Sequence, residues 1–168
     1  MTVQGKGSYV RFRPEYIMEN PKFKVGLLFD DKNIIKRVVH YYRVKTAKIF
    51  DGSKNDTGRM RAQSKTENCK WFIYASEELD SDVFIIWTIG SPCNCGRIFY
   101  HKCANSGFLA VHYMDFLRLN KQITRVEFKK KVYLELNVNI TMDQMSKTKL
   151  LIMRANLLIN GKVANHEG

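Results

Sequence analysis

The sequence predicts an α+β fold: one helix with a four-stranded antiparallel sheet, followed by a small helical segment. Three observations lead there. Apolar residues recur at helical spacing from Ile34 to Tyr42. The period then drops to two between Lys48 and Ile89, with turns rich in Gly, Ser, Asn and Asp. From Ser106 onward helical spacing returns.

Residues 1–20 hold Gly5, Gly7 and Pro14 without a sustained period and read as a flexible leader. Phe23, Val25 and Leu27 alternate, as in a short strand or extended entry. Asp30 and Asp31 start a helix over about 31–44, with Ile34, Ile35, Val38, Val39, Tyr41 and Tyr42 as its core stripe. Lys48–Asp51 is the first strand of the sheet, and 52–58 the turn after it. Arg59–Ser64 is the second strand. Lys70–Ser76 is the third, with Trp71, Ile73 and Ala75 on one face and Phe72 and Tyr74 on the other. An acidic turn over Glu77–Asp82 leads to the fourth strand, Val83–Ile89. Helices follow over Ser106–Leu119, Val126–Leu136 and about 142–159. Thr141 is the N-cap of the last, and Asn160-Gly161 its end. The domain division is 1–20 leader, 21–103 sheet domain, 104–161 helical segment and 162–168 tail. Helix, short break, helix is also compatible with a helix-turn-helix.

The net charge of +12 and pI near 9.6 point to polyanionic partners. Residues 43–70 carry eight Lys or Arg against three Asp or Glu. Lys45, Lys48, Lys54, Arg59, Arg61 and Lys65 lie on or beside the first two strands. A two-stranded ribbon fits the major groove of double-stranded DNA, where Arg can read guanine and Lys holds phosphate. On a regular strand Arg59 and Arg61 face the same side. A second cluster, Lys129-Lys130-Lys131 with Lys121 and Arg125, fans around a helix and reads first as a solvated face. No apolar run reaches the roughly 18 residues of a membrane span, and the polar, basic N-terminus lacks a secretory pattern. A cytosolic or nuclear chain keeps its thiols reduced.

Its four cysteines are therefore metal ligands or inert thiols rather than disulfides. Cys69 precedes the third strand, and Cys93 and Cys95 follow the fourth. Strand ends of one hairpin lie close together, so these three could bind zinc and staple the hairpin. His101 or Cys103 could supply the fourth ligand if the loop folds back.

An ordered set of motifs resembles the N-terminal region of plant Mutator-like (MuDR-type) transposases. It opens with Pro21-Lys22-Phe23-Lys24-Val25-Gly26-Leu27-Leu28-Phe29 and the helix carrying Tyr41-Tyr42. The basic strand pair follows, from Ile49-Phe50 to Arg59-Met60-Arg61-Ala62. Ser64, Cys69, Trp71, Ala75 and Ser76 are similar to the family's C-x4-C-x-W-x-x-x-A-S. Cys93-Asn94-Cys95 before Gly96-Arg97 stands at its H-x-C. Ala104–Ala110, Tyr113-Met114-Asp115 and Met145–Lys149 complete the likeness over about 21–161.

This resemblance implies a zinc-finger-like DNA-binding domain related in fold to WRKY domains, here in degenerate form. Ser64 replaces the family's first cysteine ligand, and Cys93 replaces its histidine. Cys93 keeps a good zinc ligand, whereas a neutral hydroxyl is a poor substitute for a thiolate. Zinc binding is expected to be weakened unless His101 or Cys103 completes the set. The resemblance further implies binding to transposon-end-like double-stranded DNA in the nucleus. The chain is expected to stop short of the family's RNase H-like catalytic domain and to have no catalytic residues, small-molecule substrate or membrane partner. Its 16 acids lie mostly in turns opposed by bases. Related transposase chains are further candidate partners. The alternative is a fragment without DNA binding, or an inert remnant, that pairs with intact transposase.

Overall fold

The computed structural model describes residues 9–13, 21–54, 56–79, 81–99 and 102–164. The chain forms two compact units, Met1–Arg97 and Ile98–Gly168. This division falls at Arg97–Ile98, where the sequence reading places it after Cys103.

In the first unit, six strands form one sheet: β1 (Val10–Arg11), β2 (Leu27–Phe29), β3 (Phe50–Lys54), β4 (Arg59–Ser64), β5 (Phe72–Glu77) and β6 (Phe84–Ile89). Their order is β1-β2-β6-β5-β4-β3. The sheet is thus six-stranded and not the predicted four-stranded antiparallel one, although β3–β6 pair antiparallel within it. The observed sheet adds β2 antiparallel to β6, and β1 parallel to β2. Strands of two and three residues are too short to show a period; long-range pairing creates them. Thus part of the predicted leader is built into the fold, and Phe12 is buried against Phe29 with ring centroids 4.9 Å apart. The rest of that leader, 1–8 and 14–20, lies outside the described residues. The predicted alternation from Phe23 shortens to β2, because Gly26 turns the chain at φ 81° and Val25 is exposed.

Helix α1 (Lys32–Thr46) starts where Asp31 accepts hydrogen bonds from the amides of Asn33 and Ile34. It ends at Ala47 in the left-handed region. Ile35, Val38 and Val39 pack against Leu27, Phe29, Phe50, Met60, Ala62, Ile73, Ala75 and Ile86. Each fully buried large apolar side chain contributes about 1.5–3 kcal/mol. Strand β3 runs to Lys54, beyond the predicted Asp51, because a register shift carries Lys54 opposite Arg61.

One glycine fixes how β6 leaves the sheet. The Gly90 amide donates to the Phe72 carbonyl at 2.8 Å. A Cβ there would strike the Lys70 carbonyl oxygen and lie 2.9 Å from Phe72 N, both backbone atoms. Gly90→Ala is expected to cost about 1–3 kcal/mol by overpacking, read as a lowered urea midpoint. An unchanged midpoint would show that β5 and β6 can separate there without penalty.

The second unit holds α2 (Ser106–His112), α3 (Met114–Leu119), α4 (Arg125–Leu136) and α5 (Met142–Ala164). The predicted single helix over 106–119 is two, broken at Tyr113 with ψ 14°. Tyr113 is buried there, edge-on to Phe128 at 5.1 Å, so packing outweighs continuity. Capping boxes open the other two: Thr124 with Glu127, and Thr141 with Gln144. Helix α5 does not end at Asn160-Gly161 but runs to Ala164. A glycine inside a helix costs only about 1 kcal/mol relative to alanine. Leu109, Leu117, Phe128, Val132, Leu136 and Met145 are buried in this unit, joined by Val138 and Ile140 from the inter-helix break. Val111 and Leu134 are exposed. No described helix is long and apolar enough to cross a membrane. Residues 165–168 of the tail lie outside the described residues.

Candidate nucleic-acid interface and thiol cluster

The β4–β5 turn presents the first thiol. Ser64 ends β4, and its Oγ accepts from the Thr66 amide at 3.2 Å. The Cys69 amide donates to the Thr66 carbonyl at 3.1 Å, after Asn68 adopts φ 62°. The chain leaving β6 brings up Cys93 and Cys95, and the Lys48 ammonium donates to the Cys93 carbonyl. The Cys69 and Cys93 sulfurs are 3.4 Å apart, and all three sulfurs lie within 4.8 Å of one another. Cysteine ligands about 2.3 Å from a tetrahedral zinc stand about 3.8 Å apart. The three side chains are half-buried and could hold a metal ion.

Ser64 stands beside the cluster, its Oγ 3.5 Å from Cys95 Sγ. An oxygen about 2.0 Å from zinc would stand about 3.5 Å from a thiolate ligand. The Ser64 hydroxyl beside Cys95 is neutral, and so a poorer metal ligand than a thiolate. Cys103 belongs to the second unit, whereas the cluster is made within the first. His101 lies outside the described residues.

The thiols are electrostatically unequal. Hydrogen bonds from Thr66, then Cys93 and Ser64, pull Cys95 down to about 6. Burial, reinforced by the hydrogen bond with Cys95, pushes Cys93 up to about 11. Near neutral pH the pair therefore holds one thiolate, on Cys95, and the thiolate is the form that binds metal. Burial also raises the Tyr42 hydroxyl, with a further contribution from Cys93.

Core aromatics support the cluster. Trp71, two residues after Cys69, stacks on Phe50 at 4.0 Å and Tyr42 at 5.7 Å.

The basic residues are spread along the β3–β4 hairpin: Lys48 and Lys65 lie at the thiol end, and Arg59 at the opposite end of β4. Met60 and Ala62 point into the core, so Arg59 and Arg61 share the opposite face. Arg61 lies over the Phe72 ring at 4.8 Å, and Arg59 pairs with Asp56 at 2.9 Å. Lys65 pairs with Asp51 at 3.3 Å. Such exposed pairs contribute about 0–1 kcal/mol, little enough for a phosphate to displace them. Lys48 is half-buried and directed at the thiol loop, while the Lys45 carbonyl accepts from Arg97 at 3.3 Å. Of Lys54 the backbone alone is described, opposite Arg61. In the second unit, Lys131 is held by Glu135 and lies 4.3 Å from the Phe116 ring, so the lysine run is not one uniform phosphate-facing row.

A family model described as MuDR family transposase matches residues 20–86. The match supports a Mutator-like transposase DNA-binding region. No curated protein and no solved structure matches the chain. The MuDR segment takes in the basic β3–β4 hairpin, Ser64 and Cys69, and stops before Cys93 and Cys95. The sequence reading missed Trp87. It lies on the outer sheet face, 43% exposed, with its indole N–H donating to Ser76 Oγ at 2.8 Å. The opposed faces of Ile73 and Tyr74 marked that face on β5, but a register shift between Tyr74 and Ala75 hid the matching residue on β6.

Proposed function

We propose that the chain is a double-stranded DNA-binding module of a Mutator-like transposase, acting in the nucleus on transposon-end-like sequence. The observation that carries this reading is a basic β3–β4 hairpin inside a MuDR segment, with Arg59 and Arg61 on one face. The hairpin presents these arginines with Lys65 beside them, as a WRKY-like strand ribbon would enter the major groove, and Lys48 and Lys54 are further candidate contacts. Lys45 borders it at the end of α1. Zinc held by Cys69, Cys93 and Cys95, with Ser64 as a weak fourth group, would fix the loop behind the ribbon. This reading gives the module no catalytic role; in its support, Asp51, Asp56, Asp115, Glu135 and Asp143 each pair with a Lys or Arg. Nicking or strand transfer by the purified chain with Mn²⁺ would overturn that statement.

Binding is tested by fluorescence anisotropy on a duplex across a salt series. With four to six phosphate contacts, log Kd should change with log salt at a slope of magnitude about 4–5. Arg59→Ala and Arg61→Ala should each reduce that slope by about one, or cost about 1–3 kcal/mol where the arginine reads a base. Affinity that barely moves between low and moderate salt would sink the reading.

A second reading has its own support in α5. Leu150, Met153, Leu157 and Leu158 are exposed along the latter half of that helix. They suit pairing with a related transposase chain. Co-purification with such a chain, without retention on DNA, would favour this reading over the first.

A further inference from the structure

We propose that the outer face of the first unit's sheet is a stacking platform for single-stranded DNA, which shares Arg59 and Arg61 with the β3–β4 ribbon and adds Trp87 and Tyr74 from β5 and β6. The opposite face is filled by α1 and the apolar core. On the outer face, strand pairing sets Arg61, Tyr74 and Thr88 in one row and Arg59 and Ser76 in the next, which ends at the fully buried Ile85. Trp87 joins them through its bond to Ser76, which fixes the indole with nearly half its surface open. Phe72 lies beneath the Arg61 guanidinium. Arg61 Nε is buried without a hydrogen-bond partner, so packing rather than a carboxylate positions this arginine.

An exposed tryptophan and a half-buried tyrosine beside two arginines are groups that recognise unpaired bases and their phosphates. A duplex hides its base faces by stacking; a single strand offers them. Neighbouring strands place such side chains about 5 Å apart, within reach of successive bases. Charge also sets the path. Glu77, Glu78 and Asp82 border the hollow shared by Arg59, Tyr74 and Ser76, and would repel phosphate. The strand therefore leaves toward Arg61 and Gln63.

The choice of DNA over RNA rests on the function proposed above; the stacking geometry does not. The two tryptophans make the test direct, since Trp71 is buried and Trp87 open. An oligothymidylate of about 12 nucleotides should quench Trp87 emission in the wild type. Trp87→Ala and Tyr74→Ala should each weaken oligothymidylate binding about ten-fold or more, with duplex affinity within two-fold. Trp87→Phe should retain most of the affinity while losing the quench. Unquenched binding, or equal oligothymidylate affinity in wild type and Tyr74→Ala, would overturn the proposal even if Trp87→Ala fails to fold. Tighter binding of an oligouridylate would overturn the assignment to DNA. Loss of duplex binding alone would instead count against the ribbon.

Discussion

Ser64→Cys is expected to raise zinc affinity on the order of 100-fold or more, since even outer-shell partners of a zinc ligand are worth roughly 10–100-fold. The serine Oγ already stands 3.5 Å from Cys95 Sγ, so the new sulfur needs little rearrangement to reach the cluster. A fourth thiolate would close a tetrahedral site that three thiols leave open. Because zinc binds the folded state, occupancy at 100 times Kd adds about 2.7 kcal/mol of stability. The measurements are chelator competition and thermal melts with and without zinc, for wild type beside the variant. One tightly held equivalent in both, at equal affinity, would show that another residue already closes the site. The pH dependence has a definite sign. Cys93 stays protonated up to about 11, so uptake near neutral pH must release its proton. Affinity should therefore rise with pH. Cys95, lowered to about 6, loses its thiolate only as pH falls through that value.

Trp71→Ala should cost about 3–5 kcal/mol. The indole is 5% exposed and sandwiched with Phe50 and Tyr42, so its removal leaves a cavity and breaks two ring stacks. Aromatic pairs add about 0.5–1.5 kcal/mol beyond burial. Against a typical stability of about 5–15 kcal/mol, this is a large fraction. Urea denaturation followed by Trp87 emission reads the first unit directly, because that tryptophan remains. Trp71→Phe should lose less by keeping a ring in the stack. A loss under about 1 kcal/mol in Trp71→Ala would mean that the stack does not hold this unit together.

Both changes fall where the sequence was most legible. Cys69 was visible as a candidate ligand ahead of the third strand, and alternation from Trp71 to Ala75 set Trp71, Ile73 and Ala75 on one face. The structure places Trp71, Ile73 and Ala75 in the core. The helix over 31–44 was visible from its stripe, and Asp31 proved to cap it through two amides. Less legible were features made by distant partners. The strand at Val10–Arg11 exists because Leu27 and Leu28 lie beside it. The break at Tyr113 exists because its ring packs on Phe128.

By itself, the sequence determined the periodic elements, the basic hairpin and the ordered motifs of a MuDR segment. These reside in local spacing and side-chain type, which chain neighbours alone express. Tertiary structure decided the rest: a sheet of six strands, three sulfurs within 4.8 Å, and a serine hydroxyl among them. It also turned Trp87 outward beside Ser76, across a register shift that no period could foretell. The physical reason is that pairing register and loop closure depend on contacts between residues far apart in the chain. A one-residue shift in register moves a side chain from one face of a sheet to the other.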